Sequence, residues 1–218
     1  MDLFAFLSEK LDINLNLHKT LIELEHLDKK WVMKSVSLEE HLYGRIPGEK
    51  DIRMWAIPRN SMKLIVMLAL LNKSKIMIDV GTSAGYSAIW LSVAAYFNKG
   101  KVYTIEIFKP KIKLAKKYIK KSGMEEYIEL IEGDAGEILE KWNGKIIDFI
   151  LFDADKQNHV KYLKIIENKF SKKAIIVADN ASNFRGIMND YLYYLDKSEK
   201  YIHYWLDYEN GLSVAIRI

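Results

Sequence analysis

From Lys75 onward the chain alternates short apolar, β-branched runs with stretches of helical periodicity, and few folds accept that order. The runs Lys75–Val80, Lys101–Ile107, Ile128–Glu132, Ile146–Phe152 and Ala174–Ala178 read as strands, the most apolar of them buried on both faces. Tyr86–Phe97, Pro110–Ser122, Gly136–Trp142, Asn158–Asn168 and Phe184–Leu195 follow them as helices. Repeated strand–helix units predict an α/β fold, a doubly wound and mostly parallel Rossmann-like sheet. The tail breaks the pattern. Tyr201–Leu206 and Leu212–Ile218 flank Asn210-Gly211, a hairpin signal, so an antiparallel pair is expected to close the sheet.

The first third reads as helical. Leu3, Phe6 and Leu7, then Leu17, Leu21, Leu24 and Leu27, keep helical spacing, and Gly44, Pro47, Gly48 and Pro58 interrupt it. Met62–Leu71 is a helix feeding the first strand. The expected organisation is a helical extension over 1–57, serving as a lid or dimer surface, and a catalytic domain over 58–218. Trp31, Tyr43, Arg53 and Trp55 are candidates to line that surface, with burial in the core the plainer reading for the aromatics.

The absence of cysteine excludes disulfides, thiolate metal sites and a cysteine nucleophile. A net charge of +4 permits an anionic partner such as tRNA, but solvated lysine-rich helix faces explain it as easily. Lys111–Lys121, spaced around Ile112, Leu114, Ala115 and Ile119, reads as such a face. Met1–Phe6 lacks the basic start of a signal peptide, and Leu64–Leu71 is too short to span a bilayer. A cytoplasmic protein with no membrane partner is expected.

Ligands of open α/β sheets bind beyond the carboxyl ends of the strands, and these ends carry unusual chemistry here. Ile146–Phe152 runs into Asp153-Ala154-Asp155-Lys156, and Ala174–Ala178 into Asp179-Asn180. Two Asp, one Asn and one Lys at neighbouring strand ends suggest hard oxygen ligands for a divalent cation beside a candidate base. The first strand ends in Gly81-Thr82-Ser83-Ala84-Gly85-Tyr86-Ser87, whose glycines allow a tight turn and close backbone approach to a ligand. Ser83 occupies the middle glycine position of a dinucleotide fingerprint, and no Walker lysine follows. Glu106 ends the second strand, where an acid accepts from the ribose hydroxyls of an adenosine cofactor. Asp134, after the third strand, is placed to meet an adenine edge. A glycine loop without phosphate machinery, followed by acids at successive strand ends, fits S-adenosylmethionine. The plainer alternative for each acid is a helix N-cap.

On Gly81–Ser87, Phe152–Lys156 and Asp179-Asn180 the chain resembles the cation-dependent O-methyltransferases, the group of catechol and caffeoyl-CoA O-methyltransferases, from about Pro58 to the C-terminus. That resemblance implies the seven-stranded class I methyltransferase sheet. It implies that Asp153, Asp179 and Asn180 hold a divalent cation, Mg²⁺ foremost with Ca²⁺ or Mn²⁺ as alternatives, and that Lys156 is the general base. It also implies that Asp79, Ser87, Glu106 and Ala135, beside the loop glycines Gly81 and Gly85 and the carboxylate of Asp153, border S-adenosylmethionine. Two departures concern the acceptor. Ala181–Gly186 replaces an aromatic-rich insert, and Tyr204 stands where a substrate-binding acid is expected, with Asp207 and Glu209 nearby. Asp155 is expected either to act at the site directly or, equally, to be solvated or support it indirectly; His159 is expected to lie at the surface or a cap, and the family implies a homodimer. The leading expectation is a metal-dependent O-methyltransferase acting on a catechol-like or phenolic hydroxyl. The alternatives are a tRNA hydroxyuridine O-methyltransferase and a non-catalytic cofactor-binding protein.

Overall fold

The computed structural model describes residues 15–29 and 53–218. Leu3, Phe6, Leu7, Trp31, Tyr43, Gly44, Pro47 and Gly48 lie outside the described residues. Seven strands form one sheet in the order β3-β2-β1-β4-β5-β7-β6. They are β1 (Ile76–Val80), β2 (Lys101–Glu106), β3 (Ile128–Glu132), β4 (Ile147–Phe152), β5 (Phe170–Asp179), β6 (Tyr201–Leu206) and β7 (Leu212–Arg217). The first five are parallel, and β7 runs antiparallel between β5 and β6.

Alternation along each strand divides the core into two layers. Met77, Phe149, Leu151, Ile175 and Val177 face α1 (Leu15–Lys29), α2 (Arg59–Leu71), α3 (Tyr86–Asn98) and α4 (Lys109–Ser122). Ile76, Ile78, Val80, Ile150, Phe152, Ile176 and Ala178 face α5 (Ala135–Glu140), α6 (His159–Ile166) and α7 (Arg185–Lys197). Each large apolar side chain taken from water in these layers contributes about 1.5–3 kcal/mol. Helix α3 is buried continuously from Tyr86 to Ala95, as its nearly all-apolar sequence requires. Glu25 ties α1 to its neighbours, accepting from Arg59 Nε at 2.9 Å and Tyr86 Oη at 2.7 Å.

Two boundaries differ instructively from the sequence reading. β5 starts at Phe170, four residues before Ala174, because a bulge opposite Ile147–Phe149 pushes exposed Lys172 and Lys173 out of register, with Lys173 in the left-handed region. Polar bulge residues conceal a strand that is apolar only where it is covered. Helix α5 ends at Glu140, so Trp142 leaves it to pack edge-on against Tyr103 at 5.1 Å. The β6–β7 connection is the five-residue loop Asp207–Gly211, between the strand ends Leu206 and Leu212 that the sequence marks. Gly211 serves a close approach: a Cβ there would lie 2.3 Å from the Ser182 backbone nitrogen. This docks the hairpin loop onto the segment that follows β5.

Candidate functional site

The sheet register builds the site. Ile105, Val80, Phe152 and Ala178 are paired across β2, β1, β4 and β5. The next residue on each strand is Glu106, Gly81, Asp153 and Asp179, so four chemically distinct positions form one row at the carboxyl edge. Sequence position alone brought these together, because parallel strands in register end side by side.

Gly81 adopts φ +107°, and a Cβ there would sit 2.7 Å from the carbonyl oxygen of Asp153. Only glycine lets the β1 loop pass this close to the end of β4. The loop is pinned to Glu106, whose Oε2 accepts from Ser83 N at 2.8 Å. Its Oε1 accepts from Ile107 N at 3.0 Å and Phe108 N at 2.9 Å. Asp79 Oδ2 accepts from Ser87 Oγ and Thr104 Oγ1, both at 2.8 Å, while its Oδ1 is buried without a partner. Burial raises the Asp79 carboxyl to about 7, helped by the charges of Asp153 and Glu106 and opposed by those two hydroxyls. Gly85, also at positive φ, starts α3.

Asp134 caps α5, its Oδ1 accepting from Glu137 N at 3.0 Å, and Ala135 is the first residue of that helix. The capping alternative is therefore realised for Asp134. Glu106 uses its carboxylate on the loop and on its own turn, and caps no helix through it.

At the other end of the row, Lys156 Nζ lies 2.6 Å from Asp153 Oδ1, and both groups are nearly buried. Asp155 makes this return possible. It accepts from Gln157 N at 3.2 Å and Asn158 Nδ2 at 2.7 Å, fixing the turn that brings Lys156 back over the strand end. Burial raises the Asp153 carboxyl, against the opposing charges of Lys156 and Lys111. Asp179, 2% exposed, is raised to about 7 by burial first and by the Asp153 charge second. Asn180 takes φ +66°, a conformation asparagine tolerates, and turns the chain away from β5.

Asp153 has Lys156 beside it, but Asp179, repelled by Asp153 and with its Oδ1 lacking a hydrogen-bond partner, is left poorly compensated unless further positive charge joins it. Among the described residues no three His, Cys, Asp or Glu side chains converge as a metal group. The donor types at this point are instead the Asp153 and Asp179 carboxylates and, next along the chain from Asp179, the amide of Asn180, hard oxygens suited to a cation such as Mg²⁺.

Two residues depart from their expected positions. His159 is fully buried between Phe152 and Tyr191, with ring centroids 5.5 and 5.6 Å away. Burial, with the Lys156 charge, pushes its pKa well below the usual value, so the ring is neutral. Lys111 is 8% exposed, whereas Lys113, Lys116, Lys117, Lys120 and Lys121 are exposed as expected. Spacing carried both signals: His159, Tyr162, Leu163 and Ile166 form one inward stripe, and Lys111, Ala115, Tyr118 and Ser122 another.

The remaining polar candidates are otherwise engaged. Glu209 Oε2 accepts from Ser61 N at 2.9 Å and clamps the hairpin loop to the start of α2, while Asp207 Oδ1 accepts from Ser182 Oγ at 2.6 Å. Tyr204 is exposed on edge strand β6, Arg53 is buried, and Trp55, 40% exposed, lies outside the core under the Arg53 guanidinium. Among the described residues no helix is long and apolar enough to cross a membrane.

Comparison with known proteins bears on this geometry. A family model described as O-methyltransferase matches residues 36–199. A catechol O-methyltransferase of Mycobacterium tuberculosis is 29% identical over 133 residues, 61% of this chain and 60% of that one. The chain thus spans about 60% of the length of that relative. A caffeoyl-CoA O-methyltransferase of Medicago sativa is 28% identical over 172 residues, 75% of this chain and 69% of that one. The structure of an O-methyltransferase from Bacillus cereus in complex with SAH superposes with a TM-score of 0.71 at 20% identity, covering 98% of this chain and 96% of that one. This last likeness concerns the fold.

Proposed function

Because the chain belongs to the O-methyltransferase family, we propose that it moves the methyl group of S-adenosylmethionine to a hydroxyl of a catechol-like or phenolic small molecule, with a divalent cation, Mg²⁺ by its donor set, at Asp153, Asp179 and Asn180. The observation that carries this reading is the pair of buried carboxylates Asp153 and Asp179 beside Lys156, with the Gly81 loop one strand over and Glu106 two strands over from Asp153.

When bound, S-adenosylmethionine supplies an electrophilic methyl on a sulfonium leaving group, and the cation supplies positive charge for an acceptor oxygen. The chain supplies the rest. Glu106 retains acceptor capacity for a ribose hydroxyl at the end of β2. Gly81 opens the backbone where any side chain would block the approach. Asp79, holding Ser87 and Thr104, braces the loop from below. Lys156 would take the acceptor's hydroxyl proton in its neutral amine form, after the ammonium that donates to Asp153 has given up a proton to solvent, since a side-chain amine there reaches the same space as the Asp153 carboxylate. Methyl transfer forms a carbon–oxygen bond and breaks the carbon–sulfur bond, the electron pair leaving on sulfur. Acidic hydroxyls of catechols and phenols suit such a base better than ordinary alcohols.

The test is transfer of a tritiated methyl group to catechol and, separately, to tRNA, each with EDTA and with Mg²⁺ restored. Labelling of catechol that EDTA abolishes and Mg²⁺ restores is expected. Labelling indifferent to EDTA sinks the cation, and labelling of tRNA alone sinks the small-molecule acceptor.

A further inference from the structure

Lys111 is a buried cation for which the site as described has no use. It lies on the inward stripe of α4, five residues beyond Glu106, and is 8% exposed. Among the described residues its ammonium makes no ion pair within salt-bridge distance. The charged groups that bear on it are Glu106, Asp153 and, from α1, Asp28, which attract it, and Lys156, which repels it. A lysine held this deep forfeits hydration that no direct partner returns, and burial lowers its pKa accordingly. Ala115, one turn further along the same stripe, has its Cα 3.5 Å from where a Cβ on Gly85 would lie, so Lys111 sits on the face of α4 turned toward the β1 loop.

Glu106 provides a second, independent observation. A carboxylate offers about four lone-pair positions. Both positions on Oε1 are taken by Ile107 N and Phe108 N, and one on Oε2 by Ser83 N. One position remains, whereas a ribose presents two adjacent hydroxyls. The acid that ends β2 thus has room for one hydroxyl of the pair, and the other needs a partner. Lys111, on the α4 face turned toward the same loop and attracted by the Glu106 charge more than by any other, has donors to spare.

We propose that Lys111 is a second ribose-binding residue of the adenosyl site, its ammonium donating to the hydroxyl oxygen that Glu106 has no position left to receive. The proposal rests on the reading that an adenosyl cofactor occupies the space above Glu106. Lys111 then divides the diol with Glu106: one hydroxyl donates to carboxylate, and the other accepts from ammonium. A charge-assisted bond of this kind in a buried site carries a large share of ribose recognition. The same positive charge disfavours the sulfonium of S-adenosylmethionine relative to the neutral thioether of S-adenosylhomocysteine, and so sharpens discrimination between the two.

Calorimetric titration of the full chain with S-adenosylhomocysteine and with its 2′-deoxy and 3′-deoxy analogues tests this without any catalytic readout. In the unsubstituted protein each deoxy analogue is expected to bind about tenfold or more weakly than the parent. In Lys111→Met the parent weakens by about tenfold, and one of the two deoxy analogues then binds within about twofold of it, because the partner of the missing hydroxyl is already gone. Lys111→Met also narrows the preference for S-adenosylhomocysteine over S-adenosylmethionine by about threefold or more. A Lys111→Met protein that keeps the full penalty for both deoxy analogues, or binds the parent unchanged, overturns the proposal. Should that variant fold poorly, Lys111→Gln, which keeps a polar side chain but loses the charge, takes its place: a parent affinity about threefold or more weaker with a reduced penalty for one deoxy analogue supports the proposal, and unchanged values refute it. Failure of the unsubstituted protein to bind S-adenosylhomocysteine at all overturns the adenosyl reading itself, and with it the role of Lys111.

Discussion

Replacing Asp179 by Asn is expected to make the cation-free protein more stable above neutral pH and to remove the proposed cation site. Asp179 is 2% exposed, and its carboxyl is raised from 3.8 to about 7 by burial and by the Asp153 charge. A group whose folded pKa lies above its unfolded value confers stability that is fully present below 3.8 and is lost as pH rises through about 7. Each tenfold step in proton affinity is worth about 1.4 kcal/mol, so the whole shift amounts to about 4 kcal/mol. Asp153 and Asp179 titrate together, and removing one charge also relieves the other, so about 2–4 kcal/mol is expected from Asp179→Asn at pH 8. For a chain of this length that corresponds to a Tm increase of about 5–12 °C. The assay is thermal unfolding in EDTA at pH 5, 6, 7 and 8, followed by the same series with Mg²⁺. In EDTA the unsubstituted protein should lose stability from pH 5 to 8, and the variant should lose much less. With Mg²⁺ the unsubstituted protein should recover at pH 8 through ligand linkage, and the variant should not. A Tm at pH 8 in EDTA that is equal or lower in the variant, or a flat profile in the unsubstituted protein, refutes the reasoning.

Three other substitutions separate the parts of the site. Gly81→Ala combines a left-handed backbone with a Cβ 2.7 Å from a backbone oxygen, so a loss of about 2–4 kcal/mol in thermal unfolding and a cofactor affinity at least about tenfold weaker are expected; unchanged values would show the loop can retreat. Lys156→Ala should lower kcat by about a hundredfold or more with cofactor Kd changed by less than about threefold, as single-turnover kinetics and calorimetry would read. Glu106→Gln keeps shape but removes charge, and should weaken S-adenosylhomocysteine by about tenfold while leaving Mn²⁺ binding, followed by electron paramagnetic resonance, within about twofold.

The strand ends were legible because parallel strands align in register, so an acid or amide after each apolar run falls on one edge whatever the loops do. This is why Glu106, Asp153, Asp179 and Asn180 could be grouped before any distance was known. What sequence could not separate was role from capping at Asp134, where the same residue type serves both, and the structure shows the cap. Lys111 and His159 were misplaced because residue type outweighed spacing: a lysine among lysines and a histidine after a turn suggest solvent, although both lie on inward helical stripes. The start of β5 was hidden by bulge residues that never enter the core. Asn210-Gly211 marked the hairpin, with strand ends at Leu206 and Leu212, and the close approach of Gly211 to Ser182 adds a tertiary reason for glycine there.

The central claim is that Asp153, Asp179 and Asn180 hold a divalent cation beside Lys156. Anomalous diffraction from crystals grown with Mn²⁺ and S-adenosylhomocysteine tests it most directly. One peak about 2–2.2 Å from an oxygen of each of these three side chains is the predicted result. A fully occupied Mn²⁺ elsewhere on the chain, or none at this edge while the adenosyl site is filled, contradicts it.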